Sequence, residues 1–186
     1  MTAADRHQRI TADFTRLVEG TADWDAPAPV DGWVARDVVD HLVSWFRAFL
    51  EAGGIEVPPG PAVADDPVGA WVHHRDAVQG LLDSPDAARD FTHPFAGTHA
   101  LQDAIDRFYT TDVFLHTWDL GTATGQHVAL DPAHCLELLE GMGQIEEMLR
   151  SSGQYGPAVP VPRDADPQTR LVGFIGRDPQ WTPPGR

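Results

Sequence analysis

The sequence predicts an all-α fold, a helical bundle with a long crossover and an additional closing helix. Three observations lead there. Apolar residues recur at three- and four-residue spacing in several separate stretches, which is the helical period. Asp-Pro pairs, glycines and proline-rich segments fall between those stretches, where helices start and stop. No stretch shows the alternation that marks a half-buried strand. With 186 residues the chain has room for one domain with a sizeable core. Residues 1–186 are therefore expected to form a single helical domain, with 151–186 as an extended tail carrying a short terminal helix.

The first helix is expected from about Ala3 to Glu19, with Ile10, Phe14, Leu17 and Val18 inward and Gly20 as its stop. A proline-rich link follows, and Trp24 and Trp33 are expected to anchor it to the bundle. The second helix begins near Ala35 and ends at Gly53–Gly54, with Val34, Val38, Leu42, Trp45 and Phe49 as its apolar stripe. Residues 55–65 carry three prolines and a glycine, so they form the crossover loop. Asp66–Pro67 is a helix start, with aspartate as cap and proline at the first helical position. The third helix carries Val68, Trp71, Val72, Val78 and Leu82 and stops before Ser84–Pro85. His73 and His74 are adjacent, so they point about 100° apart and are read as surface residues. Residues 85–99 are expected as an extended connection, with His93 and His99 available to line a pocket mouth. The fourth helix spans Leu101 to the glycines at 121 and 125. Asp131–Pro132 opens a fifth helix running to Arg150, apolar along Cys135, Leu138, Met142, Ile145 and Leu149. A short helical turn ends near Gly176.

Composition narrows the chemistry. The formal charge is −15, from 13 arginines against 28 acidic residues. No basic patch is visible for nucleic acid or an anionic membrane. The chain has no lysine, which excludes Schiff-base chemistry and a Walker-type phosphate lysine. The single Cys135 lies on an apolar stripe and reads as a packing residue. No apolar run has the length of a membrane span and no signal peptide precedes the first helix, so a cytoplasmic location is expected.

The fourth helix breaks the pattern. Leu101, Ile105 and Phe108 form an apolar line that continues into Asp112, His116 and Asp119. Ionisable groups thus occupy positions where the period calls for core side chains. A buried carboxylate needs a partner, and without lysine that partner is an arginine, a histidine or a metal ion. Asp112 and His116 are four apart and project from one helix face, where they can grip one ion; such pairs also occur as plain surface contacts. His41, on the stripe of the second helix, is a candidate third ligand or else a core histidine bonded to a carbonyl. Asp119, one turn beyond His116, is read either as an acceptor behind an imidazole ligand or as an exposed carboxylate at the helix end. Spacing leaves both pairs of readings open.

Three blocks carry a resemblance to a known family. The chain resembles the DinB-like superfamily of helical metal-binding bundles, in its actinobacterial branch related to the metal-binding domain of mycothiol-dependent maleylpyruvate isomerase. GWVARDVVDHLV resembles the tryptophan-led second helix of that branch, with its metal histidine at His41. DVFLHTWDLGTATG resembles the D/E-x₃-H-x-W-D-L-x-x-A-T-G block and places ligands at Asp112 and His116. The tail VPVPRDADPQTRLVGFIGRDPQW is similar to the G-R-D-P-x-W ending of a small single-domain subfamily. The isomerase has the longer glutamate where this chain has Asp112, and Val34 stands where a serine or threonine cap is usual, which shifts capping to Asp31. About 36 residues follow the fifth helix, where the isomerase has a further domain.

The resemblance implies a divalent ion held by His41, Asp112 and His116, with zinc first and nickel or iron next, and with coordination positions open to a ligand. It implies in turn a thiol-dependent transferase or isomerase that uses a mycothiol-like small thiol on an electrophilic substrate. Arg36, Arg47 and Arg107 are the cations close to the ligands in sequence and are candidates to receive the thiol. A metal-dependent hydrolase using bound water and a non-catalytic metal-binding module are the other readings, with homodimerisation open.

Overall fold

The first and third helices open on side-chain caps that the sequence supplies. In the computed structural model, which describes residues 1–151, 153 and 155–184, α1 (Ala3–Gly20) starts at Thr2, whose side chain accepts from the Asp5 N–H while the Asp5 carboxylate accepts from the Thr2 N–H. In α3 (Pro67–Asp83) the Asp66 carboxylate accepts from the Gly69 N–H, with Pro67 at the first helical position. For α2 (Ala35–Ala52) the expected cap is corrected. The Val34 N–H donates to Asp37 Oδ2 at 2.8 Å, so the reciprocal half of a capping box stands in for Asp31.

The chain is predominantly helical, with one small antiparallel hairpin. Helices α1, α2, α3 and α5 (Thr111–Thr124) share the main core: α1 packs on α3 and α5, and α2 packs on the same two helices. Phe14, Leu17, Leu42, Phe46, Leu50 and Trp71 are fully buried there. Helix α5 is enclosed on every side, since Val113 through Gly121 are all buried. A helix buried all round forces its polar residues into the interior, and this one carries His116 and Asp119. Gly125 ends it with φ +69°, a left-handed cap that favours glycine.

Several sequence expectations need correction. Within the stretch expected as an extended connection, a 3-10 turn (Pro85–Ala88) precedes a hairpin, β1 (Asp90–His93) paired antiparallel with β2 (Gly97–Ala100). There His93 stacks on Phe49 at 4.2 Å and His99 meets Phe108 edge-on at 5.5 Å. The fourth helix is composite: α4 (Leu101–Ala104), then a π-helix (Ile105–Thr110), then α5. The wider π turn rotates the register, so Tyr109 and Thr110 are buried while Phe108 is only half-buried. On α2 the buried line is Val38, Leu42, Phe46 and Leu50, and His41, Trp45 and Phe49 lie half-buried along its edge. His74 is buried, not at the surface, because it falls on the α3 stripe of Trp71, Val78 and Leu82.

The fifth helix is also divided, into α6 (Pro132–Gly143) and α7 (Glu146–Ser151). A terminal helix, α8 (Pro167–Phe174), packs on α6 and is capped by Asp166. Cys135 is fully buried, and burial pushes its thiol pKa up to about 11. Among the described residues no helix is long and apolar enough to cross a membrane.

Candidate metal centre

Helix α2 and helix α5 lie side by side, and this contact brings His41 to Asp112 and His116. Among the described residues these three form the group of His, Cys, Asp and Glu side chains whose potential ligand atoms converge, all within 4.8 Å of one another. His41 Nε2 lies 3.1 Å from Asp112 Oδ2, and His116 Nε2 lies 3.5 Å from Asp112 Oδ1. Ligands on a tetrahedral zinc at bond lengths of about 2.0–2.1 Å are separated by roughly 3.3 Å. The two separations, each to a different oxygen of Asp112, are close to that edge, and the three residues are a group that could hold a metal ion. Side-chain exposure falls from 31% at His41 through 22% at Asp112 to 8% at His116. The group is therefore most exposed on the His41 side.

The inner side is built more tightly. The His116 Nδ1–H donates to Asp119 Oδ2 at 2.8 Å, which leaves Nε2 directed toward Asp112. Asp119 has no exposed surface and carries a second partner. The Arg177 guanidinium donates from Nε to Oδ1 and from Nη2 to Oδ2, both at 3.1 Å. This paired fork supplies the counter-charge that a buried carboxylate needs. Burial alone would raise the Asp119 pKa, but His116 and Arg177 outweigh it and hold the carboxyl below its ordinary value. Burial likewise pushes His116 down, while Asp112 and Asp119 outweigh that and hold its pKa above the usual imidazole value. A metal ion at His116 Nε2 needs that nitrogen unprotonated, so metal and proton compete for it.

Aromatic residues frame the outer side. Trp45 Nε1–H donates to Asp112 Oδ2 at 2.9 Å and fixes that carboxylate from the α2 side. The Trp33 ring stacks on His116 with centroids 5.9 Å apart and sits 5.2 Å from His41. Burial pushes the Tyr155 phenol up to about 12, with the Asp112 charge adding and Arg177 opposing.

Two proteins show similarity at the sequence level. Both are uncharacterized proteins of Mycobacterium tuberculosis, from strain CDC 1551 / Oshkosh and strain ATCC 25618 / H37Rv. Each is 28% identical over 182 residues, covering 92% of this chain and 95% of the relative. No family model matches the chain, and no solved structure matches it.

Sequence reasoning named His41, Asp112, His116 and Asp119, and the fold brings these four together. It did not name Arg177, Trp33 or Trp45 as parts of the site. A signal for Arg177 did exist, because a buried Asp119 in a chain without lysine calls for an arginine. The three arginines singled out from sequence are engaged elsewhere. Arg36 bonds the Ala64 carbonyl and Asp25, Arg47 pairs with Glu51, and Arg107 lies over the Phe108 ring. Two surface concavities, one near Arg9 and Asp131 and one between Leu139 and Arg170, include no member of the group. Donor chemistry, not concavity, marks this site.

Proposed function

We propose that the chain binds one divalent metal ion through His41, Asp112 and His116 and uses the site in a thiol-dependent transfer or isomerisation of a small electrophile. The observation that carries the metal reading is the convergence of two imidazoles and a carboxylate, with the far nitrogen of His116 held by Asp119. The sequence blocks resembling the DinB-like superfamily support the same ligand set, with zinc as the first candidate. A divalent ion supplies a Lewis acid that lowers the pKa of a thiol or water brought to it.

The chain's own groups then have distinct tasks. Asp119 and Arg177 hold the His116 ring and its tautomer. Trp45 holds Asp112, and Trp33 packs across both imidazoles. The half-exposed edge at His41 leaves an approach for an external ligand. The thiol reading rests on the shortage of nucleophiles within the chain. Cys135 is buried and its thiol is pushed up to about 11, so it stays protonated at neutral pH and has no access to substrate. A reacting sulfur would then come from outside, and the resemblance to the mycothiol-dependent branch names a mycothiol-like small thiol for it.

Titration calorimetry with such a thiol tests this reading on metal-loaded and metal-free protein. The expected result is binding to the loaded form and at least tenfold weaker binding to the metal-free form. Equal affinity for the two forms rejects the thiol role. Turnover of an ester or amide substrate by the loaded protein without thiol would instead assign a hydrolase.

A further inference from the structure

The end of α8 determines where Arg177 starts. There the Gly176 N–H donates to the Gly173 carbonyl at 3.1 Å, and the Arg177 N–H donates to the Val172 carbonyl at 3.0 Å. With Gly176 at φ +86°, these two bonds make a Schellman motif. Gly176 is the left-handed residue that turns the chain off the helix, and Arg177 is the residue after it. The cap therefore fixes the point from which the guanidinium reaches Asp119.

The same turn lies against an earlier part of the tail. A Cβ added at Gly176 would stand 3.1 Å from the Cα, carbonyl carbon and oxygen of Gly156, so the two backbones cross with no room for a side chain. Beside the crossing, the Val159 N–H donates to the Gly173 carbonyl at 2.9 Å. Arg150, in the last turn of α7, ties the two crossing segments together. Its Nη1 donates to the Gly156 carbonyl, and its Nη2 donates to the Phe174 carbonyl at 2.7 Å. Phe174 ends α8, where carbonyls have no partner within the helix, so Arg150 supplies one. The guanidinium also lies 4.9 Å from the centroid of the Phe174 ring and donates to Glu146 at 3.0 Å.

We propose that Arg150 and Gly176 are positioning residues for the candidate metal centre, acting through Arg177. Arg150 holds the carbonyls of Phe174 and Gly156, and Gly176 makes the left-handed turn between them and Arg177. Arg177 then meets both oxygens of Asp119 at 3.1 Å, and Asp119 accepts from His116 at 2.8 Å. A two-pronged pair depends on orientation as well as charge, so a displaced turn loses one prong even with the arginine present. Charge attraction alone would bring Arg177 near Asp119 without fixing the fork. The effect on metal affinity rests on reading His41, Asp112 and His116 as ligands; the placement of Arg177 does not.

Nitrogen-15 NMR of the arginine Nε–H groups tests the placement on metal-free, full-length protein, with the Arg177 signal assigned by its absence from Arg177→Lys. Wild type is expected to show an Arg177 Nε–H that exchanges slowly with solvent, because it is bonded to a buried carboxylate. Arg150→Ala leaves the turn residue in place and is expected to fold, with that exchange faster by roughly tenfold. Gly176→Ala combines a left-handed alanine with a Cβ against Gly156 and is expected to act in the same direction. Competition against a chromophoric chelator is expected to show metal affinity lowered by about tenfold in either variant. Neither loss should add to that of Arg177→Ala, since all three act on one bond pair. An unchanged Arg177 Nε–H in folded Arg150→Ala, or losses of affinity that add to that of Arg177→Ala, overturns the proposal. Wild-type protein that takes up no metal rejects the metal centre instead, and the Arg177 signal still decides the positioning claim.

Discussion

Arg177 offers the sharpest perturbation of the candidate centre, because it touches none of the three ligands. Its guanidinium meets both oxygens of Asp119 at 3.1 Å, and Asp119 in turn holds His116 at 2.8 Å. In Arg177→Ala the Asp119 carboxylate stays fully buried and keeps one partner, the imidazole. Breaking a buried pair from one side costs roughly 3 kcal/mol of stability. Loss of the group that orients a ligand's supporting carboxylate costs about 10–100-fold in metal affinity, or about 1.4–2.7 kcal/mol. Arg177→Lys restores a charge without the two-pronged geometry, so an affinity between those of wild type and Arg177→Ala is expected. Competition against a chromophoric chelator measures the affinity, and urea unfolding of the metal-free proteins separates it from simple loss of fold. Wild-type affinity in a folded Arg177→Ala protein would refute the role assigned to the Arg177–Asp119–His116 chain.

Two further outcomes follow from buried groups. Burial, with His7, His73 and Arg47 adding, takes His74 from its ordinary 6.5 to about 4. In the unfolded chain the imidazole gains its proton near 6.5, so between about 6.5 and 4 the unfolded state binds more protons. Stability is expected to fall across that window as pH drops, by the order of 3 kcal/mol. His7, also lowered by burial, acts in the same direction. Urea midpoints of metal-free protein at about pH 7 and about pH 5 should converge in His74→Phe; an unchanged difference rejects the assignment. Cys135→Ala is expected to cost about 1 kcal/mol of stability and to leave metal and thiol binding intact. A loss of thiol binding beyond the loss of folded protein would show that the sulfur acts chemically.

Most of the helical framework was legible because Asp66–Pro67, Asp131–Pro132 and the glycines after the helices punctuate the chain in the places where the helices start and stop. The four ionisable site residues were legible for a related reason. Asp112, His116 and Asp119 continue an apolar line, and a chain without lysine leaves few ways to satisfy them. The hairpin was not legible, since DFTH and GTHA are four residues each and too short to show alternation. The π-helix inserts its turn inside a helical pattern, so a fixed 3.6-residue period names Phe108 as the buried aromatic where the fold buries Tyr109. His74 was judged by its neighbour His73 instead of by its stripe with Trp71 and Val78. Arg177 lies 58 residues from Asp119, beyond the reach of local spacing.

Metal content by elemental analysis, on untagged protein purified without chelator, is the measurement closest to the central claim. Wild type is expected to carry one divalent ion per chain, and His116→Ala, which deletes a nitrogen 3.5 Å from Asp112, is expected to carry none. A full equivalent of metal retained in folded His116→Ala, or wild-type protein that takes up no divalent ion when offered one, would contradict a centre built on His41, Asp112 and His116.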